Sequence, residues 1–159
     1  MMTRRSGLTI VEMIIVVSVI ALIAIISIPG LLSSRKYSNE TSAIASLRLI
    51  ATSQTLFREG DKDGNGQANY GTLAALSNVG LIDGVVGSGR KHGYLIQAGP
   101  STTAPETLWF AVANPISPGG SGDRYFAVNH AGVVFYTDRA AVALNTTDCV
   151  ITGMLPVGQ

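Results

Sequence analysis

The chain has 159 residues, 47% of them apolar and only 13% charged, with a formal net charge of +1. That length suits one domain of ordinary size, and so weak a net field argues against a nucleic-acid partner. A single cysteine, Cys149, excludes an internal disulfide and any multi-cysteine metal centre, and two scattered histidines, His92 and His130, do not suggest a metal site either.

The first seven residues, MMTRRSG, are short, basic and polar, and from Met13 to Ser34 no residue is charged. About 20 apolar residues cross the hydrocarbon core of a bilayer, so the stretch from Leu8 suffices as a transmembrane helix. Arg4 and Arg5 before it place its start on the cytoplasmic side. A removable secretory signal has a similar start, but its apolar part runs roughly 7–15 residues and closes on a small-x-small exit. This stretch is longer, has no such exit and leads directly into further helix. Glu12 sits at its apolar edge. A charge costs roughly 2.5–3.5 kcal/mol at the centre of a membrane helix and less near an interface, so a carboxylate there calls for a named partner.

The sequence SGLTIVE running into an apolar helix resembles the processing signal of type IV prepilins and pseudopilins. The resemblance is specific over residues 4–30 and looser beyond. It implies that a prepilin peptidase cuts after Gly7 on the cytoplasmic face and methylates the new amino terminus of Leu8. The family usually begins its mature chain with Phe, so Leu8 departs from the pattern. Glu12 becomes the fifth mature residue, and the resemblance implies that it neutralises the amino terminus of a neighbouring subunit during assembly. Physical chemistry agrees, because a free α-amino group is cationic at neutral pH and a buried charge is tolerable only when paired. Pro29 stands where many members place a helix-disrupting proline, and its missing N–H and ring clash predict a kink.

Helical character continues beyond Lys36, where Ala43, Leu47, Ile50 and Phe57 fall on one stripe. Gly60 is the expected helix stop, so that residues 8–59 make one helix about 78 Å long. "DKDGNGQANYGT", residues 61–72, matches the start of an EF-hand-type loop: Asp61, Asp63 and Asn65 offer side-chain oxygens, Gly66 the sharp turn and Gln67 its carbonyl. Its twelfth position is Thr72 rather than a bidentate Glu, so the loop reads either as a weak calcium site or as a polar turn closing the helix. Within the resembled family some members use calcium where others use a C-terminal disulfide.

Thr72 is also the expected cap of a short helix that carries Leu73 and Leu76 and stops at Gly80. β-Branched and aromatic runs at 94–98, 107–113, 124–129 and 133–137 then predict three or four antiparallel strands, the last two joined by the NHAG turn with Gly132 at positive φ. One more short strand is expected around 149–152. Trp109 and Phe110 read as core and sheet-surface residues, Cys149 as a buried thiol, and Asn145-Thr146-Thr147 as a glycosylation sequon.

These readings give an α+β, pilin-like fold: a leader at 1–7, a long helix at 8–59 whose 8–32 part is the transmembrane and assembly segment, and a C-terminal domain at 60–159 built on a small antiparallel sheet. No nucleophile, base and orienting acid belong together, so no enzymatic activity is expected, and no cofactor beyond calcium. The resemblance implies a structural subunit of a helical homo-oligomeric filament, with prepilin peptidase and inner-membrane assembly machinery as partners. It implies residence in the inner membrane as precursor, then in an extracellular pilus or a periplasm-spanning pseudopilus. A pseudopilin of a secretion or DNA-uptake system fits the same N-terminal residues, and a signal-anchored binding module is the remaining alternative.

Overall fold

The computed structural model of the chain describes residues 7–158. Residues 1–6 of the expected leader, with Arg4 and Arg5, lie outside the described residues, as does Gln159. The longest element is helix α1, Ile10–Glu59, and Pro29 lies inside it without ending it. Proline still leaves the carbonyl of Ile25, four residues earlier, without its helical N–H donor.

Packing divides the chain between Arg35 and Lys36, inside the helix rather than at its end. The first unit is apolar helix with its side chains in the open: Ile10 is 79% exposed and Ile26 80%. In the second unit the same helix buries the predicted stripe Ala43, Leu47, Ile50 and Phe57. Its end is a Schellman motif, in which Lys62 N–H donates to Phe57 O and Asp61 N–H to Arg58 O. Asp61, with φ 40°, therefore takes the left-handed position after the helix, one residue beyond the expected Gly60.

The second unit continues with α2 (Leu73–Asn78) and α3 (Gly84–Gly87), then β1 (Arg90–Lys91), β2 (Tyr94–Pro100), β3 (Trp109–Pro115), β4 (Tyr125–Asn129), β5 (Val134–Thr137) and β6 (Leu155–Pro156). All neighbours are antiparallel and the strands lie in chain order. Four of the six are the predicted strands; β1 and β6, two residues each, close the two edges. Thr72 caps α2 as expected, its hydroxyl accepting the Ala75 N–H at 3.2 Å. Helix α3, capped by Asp83, was not expected.

One face of the sheet packs on the stripe of α1: Tyr94, Ile96, Trp109, Ala111, Phe126 and Val128 share a core with Leu47 and Ile50. The other face is covered too, which the sequence reading missed. Residues 138–154 carry no regular secondary structure. They nevertheless lie over Phe110, Val112 and Ala127, with Cys149, Val142, Leu144 and Ile151 completing a second cluster. Phe110 is consequently buried instead of lying at the surface, and β3 is buried on both faces. No strand forms at 149–152, because Cys149 (φ 56°) and Gly153 (φ 68°) turn the chain away from extended geometry.

Side chains bind this strap to the sheet. Asn114 donates to Val142 O at 2.8 Å and accepts the Val142 N–H at 3.0 Å. Asn129 donates to Cys149 O at 2.9 Å, and Ser101 and Thr103 both donate to Thr147 O at 2.9 Å. The Cys149 thiol is buried, and desolvation together with the Asp148 charge raises its pKa.

Candidate functional site

The start of α1 is built as a capping box. Thr9 is the last residue before the helix, and both its N–H and its hydroxyl donate to Glu12 Oε2 at 2.8 Å. In return the Glu12 N–H donates to Thr9 Oγ1 at 3.2 Å. This is the T-x-x-E arrangement that satisfies orphan donors at a helix start. A negative group in the first turn also suits the positive end of the helix dipole. Glu12 is therefore held by its own chain, while Leu8, Val11 and Met13 around it stay 69, 65 and 56% exposed. Gly7 and Leu8 precede the helix and are exposed, so the peptide between them is accessible. Farther along, the Ser18 hydroxyl returns to Ile14 O at 2.8 Å and that of Ser33 to Pro29 O at 3.2 Å. Such back-bonding satisfies hydroxyls without solvent, as a hydrocarbon environment demands. The apolar part of α1 is long and apolar enough to cross a membrane, and none of its most apolar 18 residues is buried.

The loop after α1 holds itself together. Asp61 Oδ2 accepts the Gly66 N–H at 3.0 Å, and Asp63 Oδ2 accepts the Asn65 amide at 2.8 Å. Asn65 Oδ1 takes the Gln67 N–H at 2.7 Å, and the Gln67 carbonyl takes the Asn69 N–H at 2.9 Å. One oxygen is left over: Asp61 Oδ1 is buried without a hydrogen-bond partner. For calcium the donor chemistry is adequate in kind and short in number, with two carboxylates and one amide. Among the described residues no group of three His, Cys, Asp or Glu side chains is placed to hold a metal.

No family model and no solved structure matches the chain. Over 111 residues it is 30% identical to the type IV wide pilus major component PilA4 of Thermus thermophilus, a match covering 69% of this chain and 82% of that protein. The chain belongs to the type IV pilin family. In this type IV pilin Gly7 and Leu8 lie just before α1 and Glu12 in its first turn, and Asp61, Asp63, Asn65 and Gln67 lie together in the loop of the second unit. His92 and His130 are both exposed turn residues.

Two functional features escaped the sequence reading. Thr9 was one, although its spacing to Glu12 is the capping-box pattern. The other is Glu40, which is 2% exposed and precedes the buried stripe by one helical step. Its Oε1 accepts the backbone N–H groups of Asp123 and Arg124 at 2.9 and 3.2 Å, and its Oε2 takes Arg124 Nε at 2.7 Å. The Arg124 guanidinium lies 5.5 and 5.3 Å from the ring centres of Phe126 and Tyr136. An acid on an otherwise apolar stripe was the available signal.

Proposed function

We propose that this pilin is the structural subunit of a type IV pilus-like filament, released from its leader by cleavage between Gly7 and Leu8 and polymerised through α1. The observation that supports it most is Glu12, the one charged residue between Gly7 and Ser34. In the free subunit it is satisfied by Thr9 alone in the geometry above. Assembly exchanges lipid around the apolar helix for other helices, and it offers Glu12 the α-amino group of a neighbour's Leu8. That charge-assisted contact is stronger than the neutral bonds it supplements, so docking is favoured and its register fixed. The relative's designation as a major pilus component supports a fibre over a pseudopilus, and over a signal-anchored binding module.

The test is intact mass and N-terminal sequencing of material sheared from the cell surface, for the native chain and for Glu12→Ala. A native chain starting at Leu8 with one added methyl, abundant in the sheared fraction, is expected. The variant should be processed equally and be nearly absent from that fraction. A chain still starting at Met1 or Met2 would sink the reading, and normal filament yield from Glu12→Ala would sink the pairing.

A second reading concerns calcium, supported by the buried, unpartnered Asp61 Oδ1. Asp61, Asp63 and Asn65 would hold the ion through side-chain oxygens and Gln67 through its carbonyl. The ion would neutralise the two carboxylates and stiffen the loop. Affinity in the roughly 10⁻⁴–10⁻³ M range of extracellular sites is expected. The melting temperature of the full chain in detergent should rise with about 5 mM calcium, and Asp61→Asn should abolish the rise. An unchanged melting temperature excludes this reading and leaves the filament reading intact.

A further inference from the structure

We propose that the loop after α1 is a self-modification site, at which the side-chain amide of Asn65 is converted by its own surroundings to aspartate or isoaspartate with loss of ammonia. Asn65 is the only asparagine in the chain that is followed by glycine. It is exposed, and a Cβ built on Gly66 would meet nothing within 4 Å, so no side chain obstructs approach of the Gly66 nitrogen to the Asn65 Cγ. Three hydrogen bonds of the loop fall on the atoms that would react. The Gly66 N–H, which carries the nucleophilic nitrogen, donates to Asp61 Oδ2 at 3.0 Å. Asn65 Oδ1 accepts the Gln67 N–H at 2.7 Å, and Asn65 Nδ2 donates to Asp63 Oδ2 at 2.8 Å. The last two bonds fix which way the amide points, because a flipped amide would set its oxygen against the Asp63 carboxylate and its NH₂ against the Gln67 N–H.

Each bond has a part in ring closure. A backbone N–H bonded to a carbonyl is held away from reaction, since the carbonyl cannot take its proton. A carboxylate can, which makes Asp61 the general base. The Gln67 N–H polarises the amide carbonyl and stabilises the oxyanion that forms as the Gly66 nitrogen adds to Cγ. The new bond joins Cγ to that nitrogen, the Cγ–Nδ2 bond breaks, and the proton held by Asp61 leaves with Nδ2 as ammonia. Water then opens the succinimide at either carbonyl, giving aspartate or isoaspartate. Two other asparagines share only part of this arrangement. Asn129 Oδ1 accepts the Ala131 N–H at 3.1 Å and Asn145 Oδ1 the Thr147 N–H at 3.2 Å, but their successors are His130 and Thr146. The aspartate product would read D-x-D-x-D-G over 61–66, with three carboxylates in place of two. It thus deepens the calcium reading, although the reaction does not rest on it. Bonds that only shaped the loop would slow the reaction, because a held backbone resists the rotation that ring closure needs.

The full chain is held in detergent with a chelator at neutral pH, beside a sample unfolded in guanidinium chloride, and tryptic peptides are followed by mass spectrometry. The peptide beginning at Asp63 should gain the mass of an amide-to-acid exchange and divide into aspartate and isoaspartate forms. It should do so about tenfold faster in the folded chain, below the roughly 10²–10⁴-fold of a well-matched base. Peptides holding Asn129 and Asn145 should stay unchanged. Asp61→Asn should bring the folded rate down to the unfolded one, with the melting temperature reporting that the fold persists. A native folded rate equal to or below the unfolded rate overturns the proposal whatever the variant does, and so does an unchanged rate in folded Asp61→Asn. Asn65→Asp should show a larger calcium-induced rise in melting temperature than the native chain. Fast conversion of Asn65 with no such rise in either chain removes the calcium reading and leaves the reaction standing.

Discussion

One helix contains two opposite solutions to the same chemical problem. Residues 10–35 are apolar on every side, and their large side chains are at least 49% exposed at Val19 and beyond 70% at Ile10. Residues 36–59 are amphipathic, and they bury Leu47 and Ile50 completely while presenting Arg48 and Thr52 outward. The second half is stabilised within its own chain. The first half is not, since none of the described residues covers it, and its burial is left to lipid or to other copies. A helix hydrophobic all round is the mark of a membrane span or an assembly core, whereas an apolar stripe marks a globular surface. The transition falls at Arg35 and Lys36, and there the packing unit begins.

The sharpest way to break this comparison is to truncate one side chain in each half. Leu47→Ala should lower the unfolding free energy of the second unit by about 3 kcal/mol, the middle of the range for a fully buried leucine. Ile20→Ala should leave it within about 0.5 kcal/mol. Denaturant titration in detergent, followed by fluorescence of Trp109, the only tryptophan, reports both. An equal loss in the two variants would mean that the halves are energetically coupled.

Glu40 tests the second half from its polar side. Breaking a buried ion pair costs about 3–5 kcal/mol. Arg124 keeps 35% of its side chain exposed and can be rehydrated, so Glu40→Gln should cost about 2–3 kcal/mol. Rescue by Arg124→Met would show that the cost is the abandoned charge, whereas no rescue would assign it to weaker acceptance of the Asp123 and Arg124 N–H groups by the neutral amide oxygen.

The two faces of the sheet extend the comparison, one covered by a helix and the other by irregular chain. Asn114→Ala should cost about 1.5 kcal/mol, the loss of two buried hydrogen bonds partly replaced by water. It should also speed alkylation of Cys149, because the strap opens separately from the core. Unchanged alkylation would show that the strap opens only with global unfolding.

How far the sequence disclosed this arrangement depended on whether periodicity carried it. The predicted β-branched and aromatic runs became β2 to β5, and the stripe Ala43, Leu47, Ile50, Phe57 became the buried face, because alternation and 3.6-residue repeats are what burial selects. The strap escaped because Asn114, Asn129 and Ser101 bind it through side chains, leaving no repeat to detect. The edge strands Arg90–Lys91 and Leu155–Pro156 are too short to show a period. At the helix end the expected stop, Gly60, lies one residue early, because the Asp61 carboxylate is retained in a conformation that glycine would adopt more easily. The Gly7–Leu8 motif carries the proposed processing site, and the Thr9–Glu12 box was missed although its capping-box spacing stands in the sequence.

The smallest expected effect comes from Tyr94, where the buried half of α1 brings a carboxylate beside a phenol. Tyr94 is fully buried and its hydroxyl donates to Arg124 O at 2.8 Å. Burial, with the nearby Glu40 charge, raises its pKa well above the ordinary tyrosine value. The folded state therefore keeps a proton that the unfolded chain releases near pH 10. The stabilisation is present in full below pH 10 and is lost as pH rises from there toward the folded value. At pH 10.5 that loss amounts to about 0.8 kcal/mol. Tyr94→Phe should begin about 1 kcal/mol less stable at pH 8, from the missing hydrogen bond, and then lose about 0.8 kcal/mol less than the native chain between pH 8 and 10.5. Parallel pH profiles for the two chains would mean that Tyr94 ionises in place, and that this end of the core admits water.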